Sequence, residues 1–144
     1  MNGIILGQFK GLSDIPGLEI PYYITRVSAG FPSPADDHIQ KKLDLNELVI
    51  KHPAATFFVR VNGDSMKNAG IFHDDILVVD RALDPKNNDI IVCVLNGEFA
   101  VKRFVKNKKR IVLYPENPDY TPIEVTEEME FQVWGVVPYV IHKT

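Results

Sequence analysis

Apolar and polar positions change their rhythm along the chain. Over the first thirty residues, Gly3, Gly7, Gly11, Pro16, Gly17 and Pro21 interrupt every few positions, which prevents a regular element of useful length. That stretch closes on Tyr22-Tyr23-Ile24-Thr25-Arg26-Val27 and the small residues Ser28-Ala29-Gly30. Its aromatic and β-branched content predicts an extended arm able to lie on a folded body as a strand. A helix start is signalled at Ser33, which can cap, with Pro34 at the first helical position and Asp36 and Asp37 near the positive end of the dipole. Ile39, Leu43, Leu48 and Val49 give that helix an apolar side, and it ends by Pro53. Beyond it the pattern is strand: Thr56 to Val61, Ile76 to Val79, Ile90 to Leu95, Phe99 to Val105, Ile111 to Tyr114 and Phe131 to Ile141. Polar turn clusters separate them, and Leu95-Asn96-Gly97-Glu98 is the strongest hairpin signal. The pattern predicts a mainly β domain over residues 31–144 carrying an N-terminal arm.

Composition narrows the class. With 144 residues, 45% hydrophobic and 24% charged, the chain suits one globular domain rather than a disordered segment. A net charge of −3 argues against a protein whose main task is gripping phosphate backbones. The single cysteine, Cys93, excludes an internal disulfide framework and a cysteine-based zinc site, and fits a reducing cytoplasm. It alternates with Ile91 and Leu95 and is expected in the core. No apolar stretch is long enough for a transmembrane helix, and the N-terminus lacks the basic start of a secretory signal, so neither is expected.

The informative stretch is Val61-Asn62-Gly63-Asp64-Ser65-Met66. A strand runs into a glycine-containing turn with a serine just past it, which can expose a hydroxyl and aim nearby N–H groups at one point. Most Gly-Asp-Ser turns are only turns. A serine nucleophile needs a base, and the histidines carry no local triad signature. His38 and His142 read as solvated, His52 precedes a proline, and His73 sits in an acidic turn. Lysine is the other option. In Glu98-Phe99-Ala100-Val101-Lys102-Arg103-Phe104-Val105, alternation puts Lys102 on the face of Ala100 and Phe104. Burial favours the neutral amine, a general base if it reaches the hydroxyl. The alternative, favoured by pattern alone, is an ammonium that snorkels to water. The basic run from Lys102 to Arg110 reads as a solvated turn around Lys106-Asn107-Lys108-Lys109, so direct nucleic-acid binding is not expected. Asp74, Asp75 and Asp80 match no metal loop, and neither metal nor cofactor is expected.

Several motifs, in order, resemble one family. They are Gly30-Phe31-Pro32-Ser33-Pro34-Ala35, Asp44-Leu45-Asn46-Glu47-Leu48, His52-Pro53-Ala54-Ala55-Thr56, Gly63-Asp64-Ser65-Met66, Gly97-Glu98-Phe99-Ala100-Val101-Lys102 and Gly135-Val136-Val137. Across residues 30–144 the chain resembles the LexA/UmuD family of self-cleaving serine peptidases. The resemblance implies twisted antiparallel strands with one short N-terminal helix and an extended arm. It implies a Ser/Lys dyad of Ser65 as nucleophile and Lys102 as base, with the backbone amides of Asp64 and Ser65 as oxyanion hole. It also implies autocleavage at Ala29-Gly30, dividing the chain into a removable arm, residues 1–29, and a peptidase domain, residues 30–144. An arm this short leaves no room for the helix-turn-helix domain of the repressors, which sides with the UmuD-type members, although Ala-Gly is the repressors' scissile pair and the best-known UmuD-type form has Cys-Gly. The further implications are a cytoplasmic homodimer, stimulation by a RecA filament on single-stranded DNA during the SOS response, and service to a UmuC-like translesion polymerase after processing. Two other readings share the residues: a non-enzymatic binding subunit for a polymerase or RecA filament using the same fold, and a signal-peptidase-like enzyme, which normally needs a membrane anchor.

Overall fold

A computed structural model describes residues 5–8, 17–23, 26–30 and 40–144. The strands are β1 (Ile5–Gln8), β2 (Ile20–Tyr23), β3 (Gln40–Leu43), β4 (Thr56–Arg60), β5 (Ile76–Asp80), β6 (Ile90–Leu95), β7 (Glu98–Asn107), β8 (Arg110–Tyr114), β9 (Ile123–Glu124) and β10 (Phe131–Ile141), with one α-helix, α1 (Leu45–Val49). Eight strands form an antiparallel sheet in the order β1-β4-β5-β10-β6-β7-β8-β9, and β2 and β3 form a separate two-stranded ladder. The mainly β class expected from the sequence is what the chain adopts.

The large sheet buries apolar side chains on both faces. Val59, Leu77, Val79, Val92 and Val101 share one cluster with Met66 and Ile71. Ile91, Cys93, Phe104, Leu113 and Val136 form a second. Adjacent β6 residues therefore serve opposite clusters, as period-two alternation dictates, and Cys93 is core as expected. Helix α1 sets Val49, with Ile50 just beyond it, against Val78 and Phe58. Strand β10 lies between β5 and β6, shifting register between Val133 and Gly135 and again between Val136 and Tyr139. A Cβ on Gly135 would meet Val79 Cγ1 at 2.6 Å and the Asp80 carbonyl at 3.3 Å, so only glycine lets β10 approach β5 this closely.

The Asn96-Gly97 hairpin forms as expected: both residues have positive φ, 50° and 82°, and Leu95 pairs with Glu98. The β7–β8 turn is Lys108-Lys109, a solvated basic turn as expected. Two expectations need correction. The predicted helix from Ser33 falls largely on residues 31–39, outside the described residues, but its described part does not run through Leu43. Gln40–Leu43 pairs instead with Ile20–Tyr23, and the helix begins only after Asp44, whose carboxylate accepts the Asn46 N–H at 2.9 Å. Such a cap is worth ~1 kcal/mol, enough to choose the start of so short a helix. The glycine- and proline-broken arm also holds two four-residue strands, β1 against β4 and β2 against β3. Breakers every few residues still leave windows of that length.

Candidate active site

Ser65 sits where β4 gives out. Val61 is the last core residue of that strand run, and its N–H and C=O bond Asp75 O at 2.8 Å and Asp74 N at 2.9 Å. The chain then turns at Gly63, whose φ of 94° is open to glycine and strained for other residues. Met66 follows, 2% exposed within the first cluster. Burying it contributes ~1.5–3 kcal/mol, which offsets the entropy cost of holding the turn. Ser65 is thus a partly exposed residue between a glycine turn and a core anchor.

Ser65 and Lys102 line the same cleft of about 150 Å³, with Asn62, Met66, Phe99 and Ala100 among its walls. A larger open hollow of about 560 Å³ borders Asn107 to Arg110 and contains no nucleophile. Lys102 lies on β7 opposite Ile91 of β6, two pairs along the ladder from Cys93 opposite Ala100. Burial lowers the Lys102 pKa below its usual 10.5, with the Cys93 thiol exerting a smaller opposing pull. The thiol itself is pushed up to about 11 by burial, so it remains protonated and unreactive at neutral pH. A half-buried lysine with a depressed pKa is not a freely solvated ammonium.

A loop after β8 braces the serine turn, and sequence reasoning passed it over as a plain turn. Glu116 N–H donates to Ser65 O at 2.8 Å, and Asn68 N–H donates to Glu116 O at 2.8 Å. Asn117 Nδ2 donates to Asp64 O at 2.9 Å, and Tyr120 Oη donates to the Asp64 carboxylate at 2.9 Å. Arg103, next to Lys102 on β7, pairs with Glu116. Among the described residues, the N–H groups of Asp64 and Ser65 donate no backbone hydrogen bond, as an oxyanion hole requires. The Gly63 N–H, by contrast, is taken by His73 Nδ1 at 3.1 Å.

The other histidines lie elsewhere. His52 Nδ1 meets buried Asp80 at 2.6 Å, and His142 Nδ1 meets buried Asp75 at 2.5 Å. His142 is exposed, as expected, and also partners a buried carboxylate, and His38 lies outside the described residues. Asp75 and Asp80 are occupied by these pairings. Ala29 and Gly30 form an exposed bend, and a Cβ on Gly30 would meet nothing within 4 Å. Among the described residues no helix is long and apolar enough to cross a membrane.

The chain is similar to known proteins over most of its length. The profile of the family described as Peptidase S24-like matches residues 21–138. Protein SamA of Salmonella typhimurium (strain LT2) is 50% identical over 124 residues, spanning 86% of each chain. Protein MucA of Escherichia coli is 41% identical over 121 residues, 83% of this chain and 82% of its own. LexA repressor 1 of Pseudomonas putida is 38% identical over 145 residues, 95% of this chain and 70% of its own. The match spans the serine turn, the lysine strand and the bracing loop together, and by it the chain belongs to the Peptidase S24-like family.

Proposed function

We propose that the chain is a self-processing serine peptidase that cuts its own Ala29–Gly30 bond. The observation that carries this reading is the meeting of Ser65 and a half-buried, pKa-depressed Lys102 in one cleft of a peptidase-family fold. Neutral Lys102 Nζ takes the Ser65 hydroxyl proton as Oγ attacks the Ala29 carbonyl carbon. The oxyanion is received by the N–H groups of Asp64 and Ser65. The Ala29–Gly30 C–N bond breaks, and the lysine proton passes to the departing Gly30 amine. Water, activated by the same amine, then hydrolyses the acyl-enzyme and restores Ser65. Tethering the substrate supplies its effective concentration, so specificity needs little beyond arm placement. In this reading the exposed bend at Ala29-Gly30 enters a cleft, its own or a second copy's.

The products are the arm, residues 1–29, and the body, residues 30–144. By likeness to its family, we place this processing in the cytoplasmic SOS response, stimulated by a RecA filament on single-stranded DNA. The homodimeric body then serves a UmuC-like translesion polymerase.

Purified Ser65→Ala and Lys102→Ala chains are each expected to lose the Gly30-start product, with rates down at least ~10³-fold. Normal cleavage by either variant, with activator present, removes the dyad and leaves a binding subunit built on a peptidase fold.

A further inference from the structure

We infer that Asn117 is a positioning residue for the oxyanion hole: its carboxamide holds the Asp64–Ser65 peptide so that the Ser65 N–H faces the cleft. The inference rests on the Ser65–Lys102 reading above. In a planar trans peptide, C=O and N–H point in opposite directions, and the chain has no cis peptide among its described residues. Fixing the Asp64 oxygen therefore fixes the Ser65 N–H.

Two donors hold that oxygen, Asn117 Nδ2 at 2.9 Å and Lys67 N at 3.2 Å. The Asn117 side chain is itself fixed at both ends. Its Oδ1 accepts the Asp119 N–H at 3.0 Å while Nδ2 donates to Asp64 O. An acceptor facing a donor at each end leaves only one amide orientation. Asn117 is also 4% exposed, so water competes little for these bonds and their strength is retained. The adjacent Glu116 N–H holds Ser65 O in the same way, which makes the segment a template for two successive peptide planes. A hydrogen bond on an amide oxygen further polarises the N–H of that amide. Arg103 ties this segment to β7 through Glu116, so one loop references both the serine turn and the lysine strand.

The test uses the full chain and two readouts across neutral to alkaline pH: self-cleavage at Ala29–Gly30, and labelling of Ser65 by a fluorophosphonate, whose phosphoryl oxygen needs the same N–H donors. Asn117→Asp keeps the acceptor for Asp119 but replaces the donor with an oxygen that repels Asp64 O. Asn117→Ala removes both. The Asp variant is expected to lower the plateau of both rates ~10–100-fold. The pH midpoint is read on Asn117→Ala, which adds no charge, and should stay at the wild-type value, because Asn117 makes no hydrogen bond to Lys102. Wild-type plateaus in Asn117→Asp overturn the inference. So does a lowered plateau accompanied by a shifted midpoint in Asn117→Ala or a lost cooperative unfolding transition, since that marks a general structural role. If the wild type cleaves in a Ser65-dependent way while Asn117→Asp matches it, only this inference falls. If wild type fails to cleave or label, the dyad falls with it.

Discussion

Lys102 is the residue whose environment says most. Its pKa is lowered by burial, so the folded state releases a proton more readily than the unfolded chain. The unfolded chain therefore binds more protons between the folded pKa and 10.5, and stability rises with pH across that window. Cleavage by the intact chain is expected to accelerate from neutral toward alkaline pH, with a midpoint below 10.5; a flat profile excludes lysine as the base. Lys102→Met is expected to unfold at higher urea than wild type near neutral pH, with the gain shrinking as pH climbs through the window. A gain that grows with pH contradicts the burial account. The family resemblance, rather than the pattern, singles out Ser65 and Lys102 as candidate nucleophile and base. By pattern alone a Gly-Asp-Ser turn is most often only a turn, and a lysine in an apolar alternation snorkels to water. The brace was legible from neither. Nothing local marks Asn117 as buried, because its burial comes from the serine turn, which lies more than a strand pair away in the chain. His73 was likewise read as a turn residue, since its bond to Gly63 exists only once the β4 and β5 ends meet.

At the scale of elements, the central β10 depends on Gly135. Gly135→Ala drives a methyl against Val79 Cγ1, a β-branched side chain that is itself fully buried, and against the Asp80 carbonyl. The expected loss is ~1–3 kcal/mol, read as a lower urea midpoint; an unchanged midpoint means the strands separate at no cost. Six strands were readable from β-branched and aromatic runs, and the Asn96-Gly97 turn from its residue pair. The misreadings have a common physical source. Gln40–Leu43 carries no strand pattern of its own and is extended because Ile20–Tyr23 offers it a ladder. Strand β9 has two residues and exists only as a partner to Val112 and Leu113. Local composition governs long strands, while short ones are made by their neighbours.

Across the whole molecule, the core-cluster residues among those whose side chains are described lie between Val49 and Val137. The proposed arm contributes β1 and β2, four residues each, and a two-stranded ladder such as β2–β3 is marginal on its own. A chain beginning at Gly30 is therefore expected to fold cooperatively, with stability within ~1 kcal/mol of the full chain, which is the size of a surface effect. A larger loss in a urea titration shows that the arm is part of the core. The arm's charges, Lys10 and Arg26 against Asp14 and Glu19, cancel, so the net −3 belongs to the body. A mildly acidic body suits a protein that reaches DNA through partners. The most direct test of the central claim is intact-mass spectrometry of the full chain, wild type and Ser65→Ala, incubated with and without RecA filaments on single-stranded DNA. The account predicts a fragment beginning at Gly30 from the wild type, more of it with the filament, and none from Ser65→Ala. A wild-type chain that stays whole, or a Ser65→Ala chain that yields the same fragment, contradicts it.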